Sequence, residues 1–141
     1  MKAFLLDTSA LLTLRDNEPG ADEVAALLRQ AQRGEVNCYG CFISLMEVFY
    51  RVWKDEDEPA GRLAYRQCQS LPMNWIHETP ALLEKAAELK ARYPISLADA
   101  WIAAAALLEQ ADLVHKDPEF EVIAVPQLRL PYKKEQGGTP G

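Results

Sequence analysis

The chain has 141 residues, 49% hydrophobic and 26% charged, the make-up of one globular domain with a single sizeable core. Its net charge of −6 argues against a protein that grips nucleic acid by bulk electrostatics. It leaves open one that meets nucleic acid through bound divalent cations, which invert the local charge. No apolar run approaches the ~18 residues of a membrane span, and Asp7 interrupts the first apolar run too early for a signal peptide, so a cytoplasmic location is expected.

In chain order, residues 3–6 form a short apolar run that reads as a buried strand, and residues 10–14 as a short helix. Residues 16–20 are a loop. Residues 21–33 carry Val24, Leu27, Leu28 and Ala31 at helical spacing, with Gly34 as the stop. Residues 36–41 are a candidate strand, and Ser44 opens a helix to about Lys54. The acidic run 55–58 reads as a solvated loop, and Pro59 as the start of a helix through Ser70. Residues 75–77 are a strand candidate. Thr79-Pro80 is a capping residue followed by a first-turn proline, starting a helix to about Arg92. After Pro94, Ser96 starts a helix over residues 97–109; strands are expected at 112–115 and 122–125. The alternation predicts βαβ units and a parallel sheet between helices. The Gly- and Pro-bearing residues 133–141 are expected to be a disordered tail after a domain of residues 1–132.

Three acids stand alone. Asp7 is the single charge between Lys2 and Arg15, Glu47 between Glu35 and Arg51, and Asp99 between Arg92 and Glu109. Each lies in an apolar segment, where an unpaired carboxylate costs several kcal/mol unless it is paired or bound to metal. A shared divalent cation would satisfy all three. Asp7 ends the first strand, and the other two sit in first helical turns, near the carboxyl ends of strands where open parallel sheets bind ligands. Local capping is the competing reading: Ser44-x-x-Glu47 and Ser96-x-x-Asp99 both match a capping box, and Asp7 alone could cap the helix after it.

Asp7-Thr8-Ser9-Ala10-Leu11-Leu12 resembles the opening motif of the PIN-domain family. Ser96-Leu97-Ala98-Asp99-Ala100-Trp101 resembles its third motif, and Ser44-Leu45-Met46-Glu47-Val48 its second. Size, order and spacing are similar to the VapC-type toxins within that family, to about Leu130. The resemblance implies a three-layer α/β/α sandwich with a central parallel sheet. It also implies a Mg²⁺- or Mn²⁺-dependent endoribonuclease with one or two ions, the toxin of a type II toxin–antitoxin pair. RNA would be the substrate, a small antitoxin the partner, and the chain a homodimer. Residue by residue, Asp7, Glu47 and Asp99 match the metal-site acids, and Ser9 the hydroxyl that supports the first of them. His115-Lys116-Asp117-Pro118-Glu119-Phe120 stands where the family often carries a hydroxyl followed by two acids. Asp117 aligns with the first and Glu119 with the second, while Pro118 alters the local backbone.

Other features take plainer readings. Cys38 and Cys41 have a C-x-x-C spacing but lack further nearby ligands, so they, with Cys68, read as buried thiols. His115 is left outside the catalytic set. Trp53, Trp75 and Trp101 read as core, although each could stack on a base. A haloacid-dehalogenase-like phosphatase would need an acid where Ser9 stands. A receiver-like signalling domain would need paired acids in the first loop and a better-placed lysine than Lys116. A degenerate PIN-like domain that acts by partner binding is the remaining alternative.

Overall fold

The computed structural model describes residues 1–132; the expected tail, 133–141, lies outside the described residues. Five parallel strands, β1 (Ala3–Leu6), β2 (Asn37–Cys41), β3 (Asn74–Ile76), β4 (Asp112–His115) and β5 (Gln127–Arg129), form one sheet in the order β3-β2-β1-β4-β5. Six helices cover it: α1 (Thr8–Arg15), α2 (Ala21–Gln32), α3 (Phe42–Asp55), α4 (Glu58–Gln69), α5 (Pro80–Arg92) and α6 (Leu97–Leu108).

The pleat of β1 explains the layers. Phe4 and Leu6 point into a core shared with α1, α2, α3 and α4, while Leu5 points into the opposite core under α5 and α6. Both faces are therefore buried, and β1 reads as continuous apolar sequence because a central parallel strand has no wet side. Ala103, Ala104, Ala105 and Ala106 are all buried, and their short side chains let α6 lie close to the sheet. The C-x-x-C pair obeys the same pleat: Cys38 faces one core and Cys41 the other. All three cysteines are free and buried, and burial pushes each thiol up to about 11. They are structural thiols, as expected.

Several elements depart from the expectations. The apolar run 122–125 is not a strand. Pro118–Val122 is a 3-10 helix, and the Ile123 and Val125 amides are spent in tight turns to Phe120 and Ile123. Ile123 and Val125 still anchor in the core, and the strand follows at β5, where Leu113 N–H donates to the Pro126 carbonyl. The acidic run 55–58 is not a free loop either. Asp55 ends α3, Asp57 caps α4 by accepting the Ala60 N–H at 2.9 Å, and Glu56 binds Arg15 at 2.8 Å. Trp53 is not core; it is half-exposed and lies against Gly61 of α4, where a methyl group would sit 2.9 Å from the Trp53 Cβ.

Candidate metal centre

The chain runs from β1 outward to β2 on one side and later returns to place β4 on the other. This reversal opens a crevice at the carboxyl ends of β1 and β4, the usual ligand position in such sheets.

Asp7 follows β1 directly, and its backbone N–H extends the pairing to Val114 of β4 at 3.1 Å. Its carboxylate is buried. Oδ1 accepts the Ala10 N–H at 2.8 Å, capping α1, and Ser9 Oγ lies 2.7 and 2.8 Å from the two carboxylate oxygens. Ser9 Oγ also accepts the Lys116 backbone N–H at 2.8 Å, so one hydroxyl joins the ends of β1 and β4. Burial pushes the Asp7 carboxyl up to about 7, with Asp117 and Glu47 adding to the rise against the Ser9 and Ala10 hydrogen bonds.

Glu47 does not serve as a helix cap. α3 begins two residues earlier than expected, with Cys41 in the capping position and Ser44 and Glu47 inside the helix. Thr8 Oγ1 donates to Glu47 Oε1 at 2.6 Å and lies 2.9 Å from the Ser44 hydroxyl. Arg51, one turn on, donates to Glu47 Oε2 at 3.2 Å. Glu47 thus has a cation, at the boundary of the segment in which it stood alone.

Asp99 keeps only half of its expected capping box. Ser96 caps α6 by accepting the Asp99 N–H at 3.1 Å, but the reciprocal acceptor for the Ser96 N–H is the Glu119 carboxylate. The Asp99 carboxylate is released from that duty and converges with Asp117 and Glu119, the ligand oxygens of all three lying within 4.8 Å of one another. Burial raises the Asp99 carboxyl to about 8, reinforced by Asp117 and Glu119.

Asp117 is held by its own backbone. It takes an extended conformation before Pro118, as the proline requires, and its Oδ1 accepts the Glu119 N–H at 3.0 Å. The Asp117 N–H donates to His115 Nδ1 at 3.0 Å. His115 Nε2 must then carry the proton, which it donates to Gln127 Oε1 at 2.8 Å. Burial lowers the His115 pKa, in keeping with a neutral ring. The Gln127 amide nitrogen donates to the carbonyls of Phe120 and Ile123 at 2.8 and 3.3 Å, tying the 3-10 helix to β4.

The structure thus brings Asp99, Asp117 and Glu119 into reach of a single ion. Asp7 stands close enough to both Asp117 and Glu47 to feel their charges; Glu47 is bonded to Thr8 and Arg51. The donors are hard carboxylate oxygens, and burial together with neighbouring acids disfavours the charged form of two of them. That chemistry fits a hard divalent cation. Sequence reasoning missed Thr8, Arg51 and Gln127. Arg51 was legible as the i+4 neighbour of Glu47.

The family profile described as PIN domain matches residues 4–126. The chain belongs to the PIN-domain family, whose members are nucleases. It is similar in fold to VapBC2 from Rickettsia felis bound to a promoter DNA fragment (TM-score 0.74, 19% identity, 92% of this chain and 99% of that one). It is also similar to a toxin–antitoxin complex from Klebsiella pneumoniae (TM-score 0.60, 26% identity, 86% and 92%). A third structure, VapC20 of Mycobacterium tuberculosis, is described as a sarcin–ricin loop cleaving toxin (TM-score 0.69, 16% identity, 91% and 99%). No curated protein matches the sequence. Among the described residues, no helix is long and apolar enough to cross a membrane.

Proposed function

We propose that the chain is a Mg²⁺- or Mn²⁺-dependent endoribonuclease acting as the toxin of a toxin–antitoxin pair, with RNA as substrate and a small antitoxin as partner. The observation that carries this reading is the convergence of Asp99, Asp117 and Glu119 within 4.8 Å, beside the buried Asp7, in a PIN-domain fold. The toxin–antitoxin part is supported by the solved structures of similar fold.

Asp99, Asp117 and Glu119 would hold the principal ion, with Asp7 and Glu47 contributing directly or through water. The ion would lower the pKa of a bound water and offset charge on the phosphoryl group. Ser9 fixes the Asp7 carboxylate, Thr8 fixes Glu47, and the His115–Gln127 pair fixes the backbone that presents Asp117. Neither His115 nor a cysteine is placed as a nucleophile.

The test is cleavage of structured and single-stranded RNA with Mg²⁺, with Mn²⁺ and with chelator, beside folded Asp7→Asn and Asp99→Asn variants. Metal-dependent cleavage lost in both supports the reading. A wild type that binds no divalent ion and cuts no RNA sinks it, and leaves a partner-binding domain with an acidic pocket.

A further inference from the structure

A cavity of about 360 Å³ opens beside the acids, within the ~300–1,000 Å³ range of ligand sites. It lies one hydrogen bond from them on two sides. Ser9, in its wall, is bonded to Asp7, and Arg51, also in its wall, is bonded to Glu47. Its cationic wall residues are Arg15, Arg51 and Lys116, and Lys116 is the unusual one.

The Lys116 side chain is only 5% exposed, yet its Nζ has no hydrogen-bond partner among the described residues. Among the described residues it forms an ion pair with Glu18 Oε1, at 3.6 Å, without a hydrogen bond. An ammonium has three N–H donors, and leaving them unmet in a buried place is costly. The position is nevertheless fixed, because the Lys116 backbone N–H is held by Ser9 at 2.8 Å. Arg15, in the same cavity, gives both Asp16 and Glu56 a single nitrogen, Nη1. The Asp16 and Glu56 side chains are 42% and 48% exposed. Those acids stand at a wet rim where water and salt screen them, whereas Lys116 lies on the floor.

We infer that this cavity is a subsite for a non-scissile backbone phosphate of the RNA, with the Lys116 ammonium as its principal contact and Arg15 at its mouth. The inference rests on the nuclease reading above. A phosphate diester supplies the charged acceptors that Lys116 lacks, and Ser9 and Arg51, each bonded to one of the acids, make the cavity contiguous with the place where a scissile phosphate would lie. Glu18 is the built-in competitor: it keeps the ammonium partly compensated until phosphate arrives.

The test uses the full chain carrying Asp99→Asn, so that RNA stays intact, with Mg²⁺ present and a labelled single-stranded RNA oligomer as the probe. Adding Lys116→Met is expected to weaken binding about tenfold and to reduce the salt slope by about 0.7, the share of one single-strand phosphate. Adding Glu18→Gln, by contrast, tightens binding, an effect that loss of a merely structural ion pair would not produce. Unchanged affinity and slope in a Lys116→Met protein of normal melting temperature overturn the subsite. If that variant does not fold, Glu18→Gln decides: equal or weaker RNA binding overturns it. Lysine-dependent binding of polyglutamate but not of RNA overturns it too, in favour of an acidic protein partner. Wild-type protein that cuts no RNA, while its RNA binding still depends on Lys116, sinks the nuclease reading and leaves the subsite standing.

Discussion

The Ser96 N–H donates to the carboxylate of Glu119, a residue 23 positions further along the chain. A side chain from the 3-10 helix after β4 therefore completes the cap of α6, in place of the acid that α6 carries at the capping-box position. Glu119 is then both cap and candidate ligand, and two substitutions separate those duties. Glu119→Ala is expected to lose about 1 kcal/mol of stability along with metal affinity. Glu119→Gln retains an oxygen that can accept the Ser96 N–H, so it should melt near the wild type while Mn²⁺ affinity falls about tenfold or more. Calorimetric titration with Mn²⁺ beside thermal melts reads both; equal Mn²⁺ affinity in the glutamine variant rules the ligand duty out.

The two raised carboxyls make the metal-free protein less stable as pH rises. Asp7 and Asp99 hold protons in the folded chain up to about 7 and about 8, far above the ordinary aspartate value of 3.8. The folded state therefore binds more protons than the unfolded one. This contribution is complete below about pH 4 and is lost as pH climbs through 7 and 8. His115, whose pKa is lowered by burial, works in the opposite direction below its ordinary value, so the clean window lies between about pH 6.5 and 8.5. Melting temperature in chelator should fall across that window, and Asp99→Asn should flatten the fall. A melting temperature that rises there would show that the acids are ionised without metal.

Divalent binding should strengthen with pH over the same window, because the ion must displace those protons. Mn²⁺ titrations in buffers of different ionisation enthalpy should show net proton release. Binding with no proton release at about pH 7 would place the ion elsewhere.

Thr8→Val tests the hold on Glu47. The valine fills the same space but withdraws the donor from Glu47 Oε1, now bonded at 2.6 Å. The expected cost is about 1–3 kcal/mol for a buried acceptor left short of a donor, with a fall in cleavage rate. Thr8→Ser, which keeps the hydroxyl, should restore most of both. Denaturant unfolding and single-turnover cleavage make the comparison, and equal behaviour of the two variants would remove Thr8 from the positioning set.

Gly40 is required by close approach rather than by backbone angle. A methyl group there would overlap the Trp75 ring and lie 2.8 Å from Met73 Cε. Gly40→Ala should cost about 1–3 kcal/mol, and much less in a Trp75→Leu background. A double-mutant cycle measures that coupling; additive losses would mean that the β2–β3 contact relaxes without strain.

How much of this was legible in the sequence depended on whether a partner was local. β1 announced itself by Phe4, Leu5 and Leu6, since a strand buried on both faces has no polar alternation to obscure it. Asp99 stood out because α6 buries alanines all along its length. Ser96 and Thr79 were found as caps, since a cap and its N–H lie three residues apart. The Glu119 bond to Ser96 and the Ser9 bond to Lys116 could not be read, because sequence distance carries no trace of them. β5 was hidden for another reason: Gln127-Leu128-Arg129 is short and polar at the sheet edge, while the apolar neighbours Ile123 and Val125 serve as core anchors on a turning backbone.

The bond between Ser9 and Lys116 spans 107 positions, and the acids it helps to gather come from both ends of the fold. Asp7 is synthesised first and Glu119 more than a hundred residues later. An amino-terminal fragment that stops before β4 contains Asp7, Glu47 and Asp99 but lacks Asp117, Glu119 and the Lys116 N–H that Ser9 accepts. During synthesis, therefore, the candidate metal centre is complete only once β4 and the 3-10 helix have cleared the ribosome.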